Sequence, residues 1–264
     1  VSPARAAVSE RAQPAEGSQL ATSGPYADGA IAARDALAIL KFHEAPRVGV
    51  LGDSGTGKSF ALKWLIAAYL EMQPRGVAIV VDDKPRVRFE GQLRRDIADL
   101  RRRPPAPTPR VIVLRGEPFD VDGDVDPETV AEFQWEQAQL RRPTVGVYDE
   151  LGKAADGGQW KVGNRSRISW AFGKGRDADV ASFWGDQETE GVPRQAFNQS
   201  SSLFVFRMRG NPLRLLKSRG YLDGGVEDVI PRLHGEPLPP AQRGTFVHLR
   251  RSQPWDGVIY KFRA

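Results

Sequence analysis

The stretch Gly52-Asp53-Ser54-Gly55-Thr56-Gly57-Lys58-Ser59 fits the pattern G-x-x-x-x-G-K-[ST] at every fixed position. Its glycines let the backbone wrap closely around an anion, and successive N–H groups and a helix N-terminus face that anion. Lys58 is spaced to reach the β- and γ-phosphates of a nucleoside triphosphate, and the Ser59 hydroxyl to ligate magnesium. ATP and Mg2+ are therefore the expected ligands. The pattern carries meaning only between a strand and a helix, and here an apolar run (Val48–Leu51) precedes it and a helical segment (Lys58–Gln73) follows.

Chemistry on a bound triphosphate needs an acid at the end of a neighbouring strand, and two runs supply one. Val77–Val81 ends in Asp82 and Asp83, one helix after the glycine-rich loop. Val145–Tyr148 ends in Asp149 and Glu150 after two further α/β crossings, and this second run is preferred. A carboxylate pair divides two tasks: Asp149 holds the magnesium shell, and Glu150 orients and activates an attacking water. A kinase needs no such base, because its substrate brings the hydroxyl. An extra strand between the loop and the Asp-Glu strand suits the ATPase branch of the fold. Further on, Gln187 closes another strand at the same edge, where its amide can hydrogen-bond a γ-phosphate or the water.

The elements that must position these groups alternate along the chain. Strands are predicted at Val48–Leu51, Val77–Val81, Val111–Leu114, Val145–Tyr148, Val180–Trp184 and Leu203–Phe206. Helices are predicted at Lys58–Gln73, Phe89–Arg102, Pro127–Arg141, Arg165–Phe172, Arg194–Gln199 and Pro212–Ser218. Strand–helix alternation of this kind implies a parallel sheet with crossover helices. The expected fold is α/β: a three-layer P-loop NTPase with a mainly parallel sheet of the ASCE/RecA-like type. Thr245–Leu249 and Val258–Phe262 should close it as a C-terminal β-hairpin or edge strands. Ala30–Phe42 reads as a short helix leading in, and Pro104–Pro109 as a stiff connector. Residues 1–29, poor in large apolar side chains, are expected to form a flexible arm, and 30–264 a single ATPase domain.

Composition removes other classes. The 264 residues include no cysteine, which excludes thiol catalysis, disulfides and Cys-ligated metals. Only His43, His234 and His248 are available for zinc, and no HExxH pattern occurs. No run nears the ~18 apolar residues of a membrane span, so a soluble, cytoplasmic protein without an integral membrane segment is expected. The 38 basic against 33 acidic residues permit a polyanionic partner without requiring one.

Taken in order, the glycine-rich loop, the VYDE strand end and Gly173–Gln187 (GKGRDADVASFWGDQ) resemble the FtsK–HerA superfamily of DNA-pumping ATPases. Val81-Asp82-Asp83-Lys84 is similar to that superfamily's Asp-Pro-Lys turn, with Asp83 in place of proline, and Phe204–Arg207 fits its next strand. The resemblance spans about Arg47 to Arg209. The chain lacks sequence for the membrane helices, winged-helix domain or N-terminal barrel of other members. It is most similar to the small genome-packaging ATPases of tailless icosahedral, membrane-containing double-stranded DNA viruses. The resemblance implies a homohexameric ring that translocates double-stranded DNA, with capsid or packaging-vertex proteins as partners. The expected location is then the host cytoplasm or the virion vertex. It also implies that Arg176 acts as an arginine finger on a neighbouring subunit's nucleotide, with Arg207 and Arg167 in reserve; an exposed salt bridge is the plainer role for Arg176.

DNA contact is expected from Gly157–Arg167 (GGQWKVGNRSR), within a cluster of Lys161, Arg165, Arg167, Lys174 and Arg176 interleaved with Trp160, Trp170 and Phe172. The same residues also suit a solvated loop or a subunit interface. Arg94, Arg95, Arg101, Arg102 and Arg103 read as a solvated helix face, and Trp64, Trp135 and Trp184 as core. Two other functions use the same loop. One is a plasmid-transfer or filamentous-phage assembly ATPase of the same superfamily; the other is a small-molecule kinase or nucleotide-dependent regulatory module.

Overall fold

Short runs that are apolar at successive positions can be buried on both faces, and that is the condition of a parallel sheet covered by helices. The computed structural model describes residues 30–31, 40, 45–82, 89–102, 110–114, 127–154, 167–222, 224–233, 244–251 and 256–262. Its strands are β1 (Ala30–Ile31), β2 (Arg47–Leu51), β3 (Val77–Val81), β4 (Gln92–Arg94), β5 (Val111–Leu114), β6 (Thr144–Asp149), β7 (Val180–Asp186), β8 (Ser202–Val205), β9 (Thr245–Arg250) and β10 (Asp256–Phe262). They form one sheet in the order β1-β10-β9-β8-β2-β7-β6-β3-β5-β4. The block from β8 to β4 is parallel throughout; β9 is antiparallel to β8, and β10 to β9. The fold is thus the expected three-layer α/β P-loop type, and the C-terminal hairpin extends the main sheet through β8.

Helices α1 (Lys58–Met72), α2 (Ile97–Arg102), α3 (Pro127–Gln139), α4 (Leu151–Ala154), α5 (Arg167–Gly173), α6 (Arg194–Gln199), α7 (Asn211–Ser218) and α8 (Gly224–Val229) fill the crossovers. Alternating side chains sort into two cores. Val48, Val50, Val80, Val147 and Phe183 pack with Leu62, Leu65 and Tyr69 of α1 on one face. Leu51, Val81, Tyr148 and Trp184 pack with residues of α3, α5 and α6 on the other. Trp184 is fully buried; its indole N–H donates to Ser200 Oγ (3.1 Å) and its ring meets Phe197 edge-on at 5.0 Å.

Several expectations change. Phe89–Arg102 is not one helix: Gln92–Arg94 pair with β5 along the sheet edge, and α2 begins only after Asp96, whose carboxylate accepts the Asp99 N–H at 2.6 Å. The basic cluster there is accordingly no continuous helix face, and Arg101 reaches across to Glu136 at 2.5 Å. At Ala30–Phe42 the structure gives a strand first, because Ala30 and Ile31 pair with Lys261 and Phe262 of β10. Leu40 is helical and buried. Trp64 and Trp135 are half-buried rather than core. The expected arm at 1–29 and the connector at Pro104–Pro109 lie outside the described residues. Among the described residues no helix is long and apolar enough to cross a membrane.

One buried titratable group makes the fold pH-sensitive. His248 of β9 is 2% exposed, contacts Ser202 Oγ at 2.9 Å and meets the Phe204 ring edge-on. Burial, with Arg250 nearby, pushes its pKa down from 6.5 to about 3. An unfolded chain takes up a proton as the pH drops through about 6.5, whereas the native imidazole stays neutral, so the unfolded state binds more protons and stability falls. The contribution is complete above the unfolded value and is lost toward pH 3, by at most about 1.4 kcal/mol per pH unit. Urea unfolding near pH ~7 and ~5 should show a smaller loss for His248→Gln than for the parent.

Candidate functional site

The carboxyl ends of β2, β7 and β6 lie side by side, and the residues expected to do chemistry leave the sheet there. The loop from Gly52 to Gly57 joins β2 to α1, as the glycine-rich pattern requires. Gly52 has φ +150° and Gly57 φ +116°, conformations that L side chains rarely adopt. A Cβ on Gly52 would also lie 2.6 Å from Phe206 Cβ. Within the loop the Lys58 ammonium donates to the carbonyls of Gly52 (2.7 Å) and Asp53 (2.8 Å), and the Thr56 hydroxyl to Asp53 O (2.8 Å). Lys58 and Thr56 are buried, while Ser54 and Gly55 are exposed at the tip. Outside support comes from β8 and β9: Asp53 N–H donates to Arg207 O, and Gly244 N–H to Thr56 O.

Of the two acidic strand ends, the fold brings only one to the loop. The Ser59 Oγ lies 3.4 Å from Asp149 Oδ2, although β7 separates their strands. Gly185 permits this: a Cβ there would stand 3.4 Å from Asp149 Oδ1 and 3.2 Å from Leu62 Cδ1. Asp82, buried at the end of β3, is separated from β2 by both β6 and β7. Asp83 and Lys84 lie outside the described residues.

Glu150 leaves β6 at φ +76°, a left-handed conformation for a non-glycine residue, with its N–H on Gly185 O at 2.9 Å. This turns its side chain toward the next strand end, where Gln187 Nε2 donates to Glu150 Oε1 at 3.0 Å. Asp149 and Glu150 are 5% and 6% exposed. Ser59 and Asp149 together form a hard oxygen pair, the donor set that suits magnesium.

The basic residues fall elsewhere. Arg176 is exposed on a 3-10 turn, Gly175–Ala178, at the amino end of β7. Ten or so residues of chain separate it from Gln187, so it stands about 20 Å or more from its own phosphate loop. Arg207 is beside the loop of its own protomer, its Nε 3.6 Å from Asp53 Oδ2. Arg167 stacks on the Trp135 ring at 4.0 Å, and its backbone N–H donates to Glu128. Neither reserve arginine is presented outward as a finger. Lys161, Arg165 and Trp160 lie outside the described residues, as does 157–166 of the expected DNA loop; Lys174 is exposed, Trp170 half-buried and Phe172 buried.

One residue escaped the sequence reading. Asp186 is 6% exposed, and its carboxylate accepts the N–H groups of Gly152 and Glu188. Its position immediately before Gln187, ending an apolar strand, was the available signal.

No protein-family model matches the chain, and no curated protein matches it. Solved structures do. The genome packaging NTPase B204 from Sulfolobus turreted icosahedral virus 2, in complex with AMPPCP, superposes with a TM-score of 0.62 at 16% identity over 84% of this chain and 100% of that one. The same protein with ATPγS gives 0.61 at 16% identity, over 84% and 99%. The pCW3 conjugation coupling protein TcpA, in its monomer form with ATPγS, gives 0.56 at 16% identity, over 84% of this chain and 61% of that one. The likeness establishes a shared fold.

Gly52→Ala tests the loop geometry. The substitution should destabilise the protein by about 1–3 kcal/mol through strain and the clash with Phe206. Chemical denaturation reads that loss, and thermal shift with AMPPCP should show the analogue's stabilising effect reduced or gone.

Proposed function

We propose that this chain is an ATP-hydrolysing motor of the FtsK–HerA type that translocates double-stranded DNA, and that its task is packaging a viral genome. The observation that carries this reading is the joint placement of two pairs, Ser59–Asp149 and Glu150–Gln187, around one glycine-rich loop. The insertion of β7 between β2 and β6 supports it, as does the fold shared with a genome packaging NTPase along the whole of that protein.

In this reading, Gly52, Asp53, Ser54, Gly55, Thr56, Gly57, Lys58 and Ser59 cradle the triphosphate. Lys58 exchanges its two loop carbonyls for β- and γ-phosphate oxygens, a swap of one set of acceptors for a more strongly charged one. Ser59 and Asp149 hold Mg2+, which when bound neutralises charge on the phosphates. The Glu150 carboxylate takes a proton from a water whose oxygen attacks the γ-phosphorus. The bond to the β–γ bridging oxygen breaks, and ADP and phosphate leave. The Gln187 amide has two N–H groups; one is on Glu150, so the other is available to a γ-phosphate oxygen or to the water.

Arg176 sits too far from its own loop to serve it, so any role on nucleotide is in trans, across a protomer boundary in a homohexameric ring. Residues 1–29 then remain an arm outside the ATPase domain of 30–264. Linear duplex DNA, held by its phosphates, and capsid or vertex proteins are the partners, and the working location is the host cytoplasm or the packaging vertex. The likeness to TcpA favours one second reading, a plasmid-transfer ATPase of the same superfamily. A further rise in DNA-stimulated turnover on adding the cognate empty capsid would separate packaging from transfer.

Two measurements test the motor. ATP turnover should rise with linear duplex DNA, and the mass in ATP and magnesium should be that of a ring; a monomer indifferent to DNA overturns the reading. Glu150→Gln should retain ATP affinity within about threefold while kcat drops by about 10²–10⁴. Arg176→Ala and Lys58→Ala should each be inactive alone, and mixing them should restore partial turnover at boundaries that unite an intact loop with an intact arginine. Full turnover by Arg176→Ala alone would remove the finger.

A further inference from the structure

Asp186 has no part in the reaction above, yet it touches each segment that the reaction uses. Its carbonyl accepts the N–H of Gly52, the first residue of the phosphate loop (3.3 Å). Its carboxylate Oδ2 accepts the N–H of Gly152, two residues after Glu150 (2.5 Å). Its Oδ1 accepts the N–H of Glu188, the residue after Gln187 (2.9 Å). A carboxylate this deeply buried is tolerated only when donors satisfy it, and here backbone amides from two separate loops do so.

The fit leaves little freedom. A Cβ on Gly152 would lie 2.7 Å from Asp186 Oδ2 and 3.3 Å from the Gly191 backbone, so the turn after Glu150 is pressed against the loop that follows Gln187. Between these two clamped segments, Gln187 donates to Glu150 at 3.0 Å.

We propose that Asp186 is a positioning residue: its carboxylate locks the turn carrying Glu150 to the loop carrying Gln187, and so sets the register of that pair against the bound triphosphate. The proposal rests on the ATP-hydrolysis reading for what the pair does. The Glu188 contact closes a turn within Asp186's own loop, and the Gly152 contact reaches across to the turn after Glu150, so one carboxylate engages both segments. Burial raises the carboxyl pKa above its ordinary value, and the Gly152, Glu188 and Gln187 amides and the Lys58 charge oppose that rise.

Asp186→Asn keeps the shape but places an N–H₂ against one of two N–H donors, breaking one arm of the clamp. Gly152→Ala disturbs it from the opposite side. Both variants should lose kcat by about tenfold or more, with KM for ATP and AMPPCP affinity held within about twofold. Combined with Gln187→Ala, Asp186→Asn should add little to the larger single loss, since both act on one pair. Amide hydrogen exchange supplies a readout independent of turnover: in Asp186→Ala, which removes both acceptors, the amides of Gly152 and Glu188 should lose protection together while those of α1 keep theirs. Wild-type protein without ATP turnover defeats the hydrolysis reading. Wild-type turnover with an unchanged Asp186→Asn kcat, a parallel rise in KM, multiplicative losses with Gln187→Ala, or protection lost at only one amide each defeats the clamp.

Discussion

Ser59 opens α1 after the loop from β2 and Asp149 ends β6, and these elements are held apart because β7 lies between β2 and β6. Adjacent strands are spaced by about 4.8 Å, so the two elements start about 10 Å apart and their side chains must close that gap above the end of β7. They meet at 3.4 Å because the intervening strand presents Gly185 at the crossing. A Cβ there would already touch Asp149 Oδ1 at 3.4 Å and crowd Leu62 Cδ1 at 3.2 Å, so little room is left for a longer side chain. The neighbouring positions on β7 are then the natural anchors for whatever flanks the gap. Gly185 O holds the Glu150 amide, and Asp186 O holds the Gly52 amide. Much of the geometry at this edge therefore passes through two residues, Gly185 and Asp186, at one strand end.

Charge imposes the second constraint. Lys58, Asp149, Glu150 and Asp186 are each under a tenth exposed within one cleft. Burying such groups costs several kcal/mol unless polar partners replace water. The fold supplies those partners mostly from backbone: two carbonyls for the Lys58 ammonium and two amides for Asp186. Backbone dipoles are fixed by the strands and turns that carry them, so the charges keep their places without a matching set of side chains. The carboxylates facing the loop still outnumber the ammonium, which is the imbalance a hard divalent cation would offset.

Legibility of the sequence follows this division between local pattern and tertiary contact. Apart from β4, the strands from β2 to β8 lie inside the sheet, are buried on both faces and read as uninterrupted apolar runs, so their places in the chain were visible to within a residue or two. The loop from Gly52 to Ser59 was visible because its chemistry is written in consecutive positions. β4 and β1 were not: Gln92–Arg94 and Ala30–Ile31 are strands only because an edge is there to pair with, and edge pairing leaves no apolar alternation. Asp186 was hidden for a related reason. Nothing in Gly-Asp-Gln announces that the acid will meet Gly152, which lies thirty-four residues earlier in the chain. The contact of Arg207 with Asp53 was likewise invisible, because the two residues are far apart in the chain.

The two edges of the sheet also carry different kinds of cation. At the carboxyl edge Lys58 is held inward, against the loop it would serve. At the amino edge Arg47, which begins β2, is buried and donates to the carbonyls of Ala171 and Gly173, closing the end of α5 just before the turn that carries Arg176. Burial and the nearby Arg176 charge, partly offset by Asp177, together lower the Arg47 pKa to about 10. That like-charge pair is unfavourable within one protomer. Because β2 begins at Arg47 and ends at Leu51, directly before Gly52, one rigid strand connects the residue that sets the Arg176 turn with the loop that receives nucleotide. A ring built from such protomers would place each strand between two phosphate sites, its own and its neighbour's.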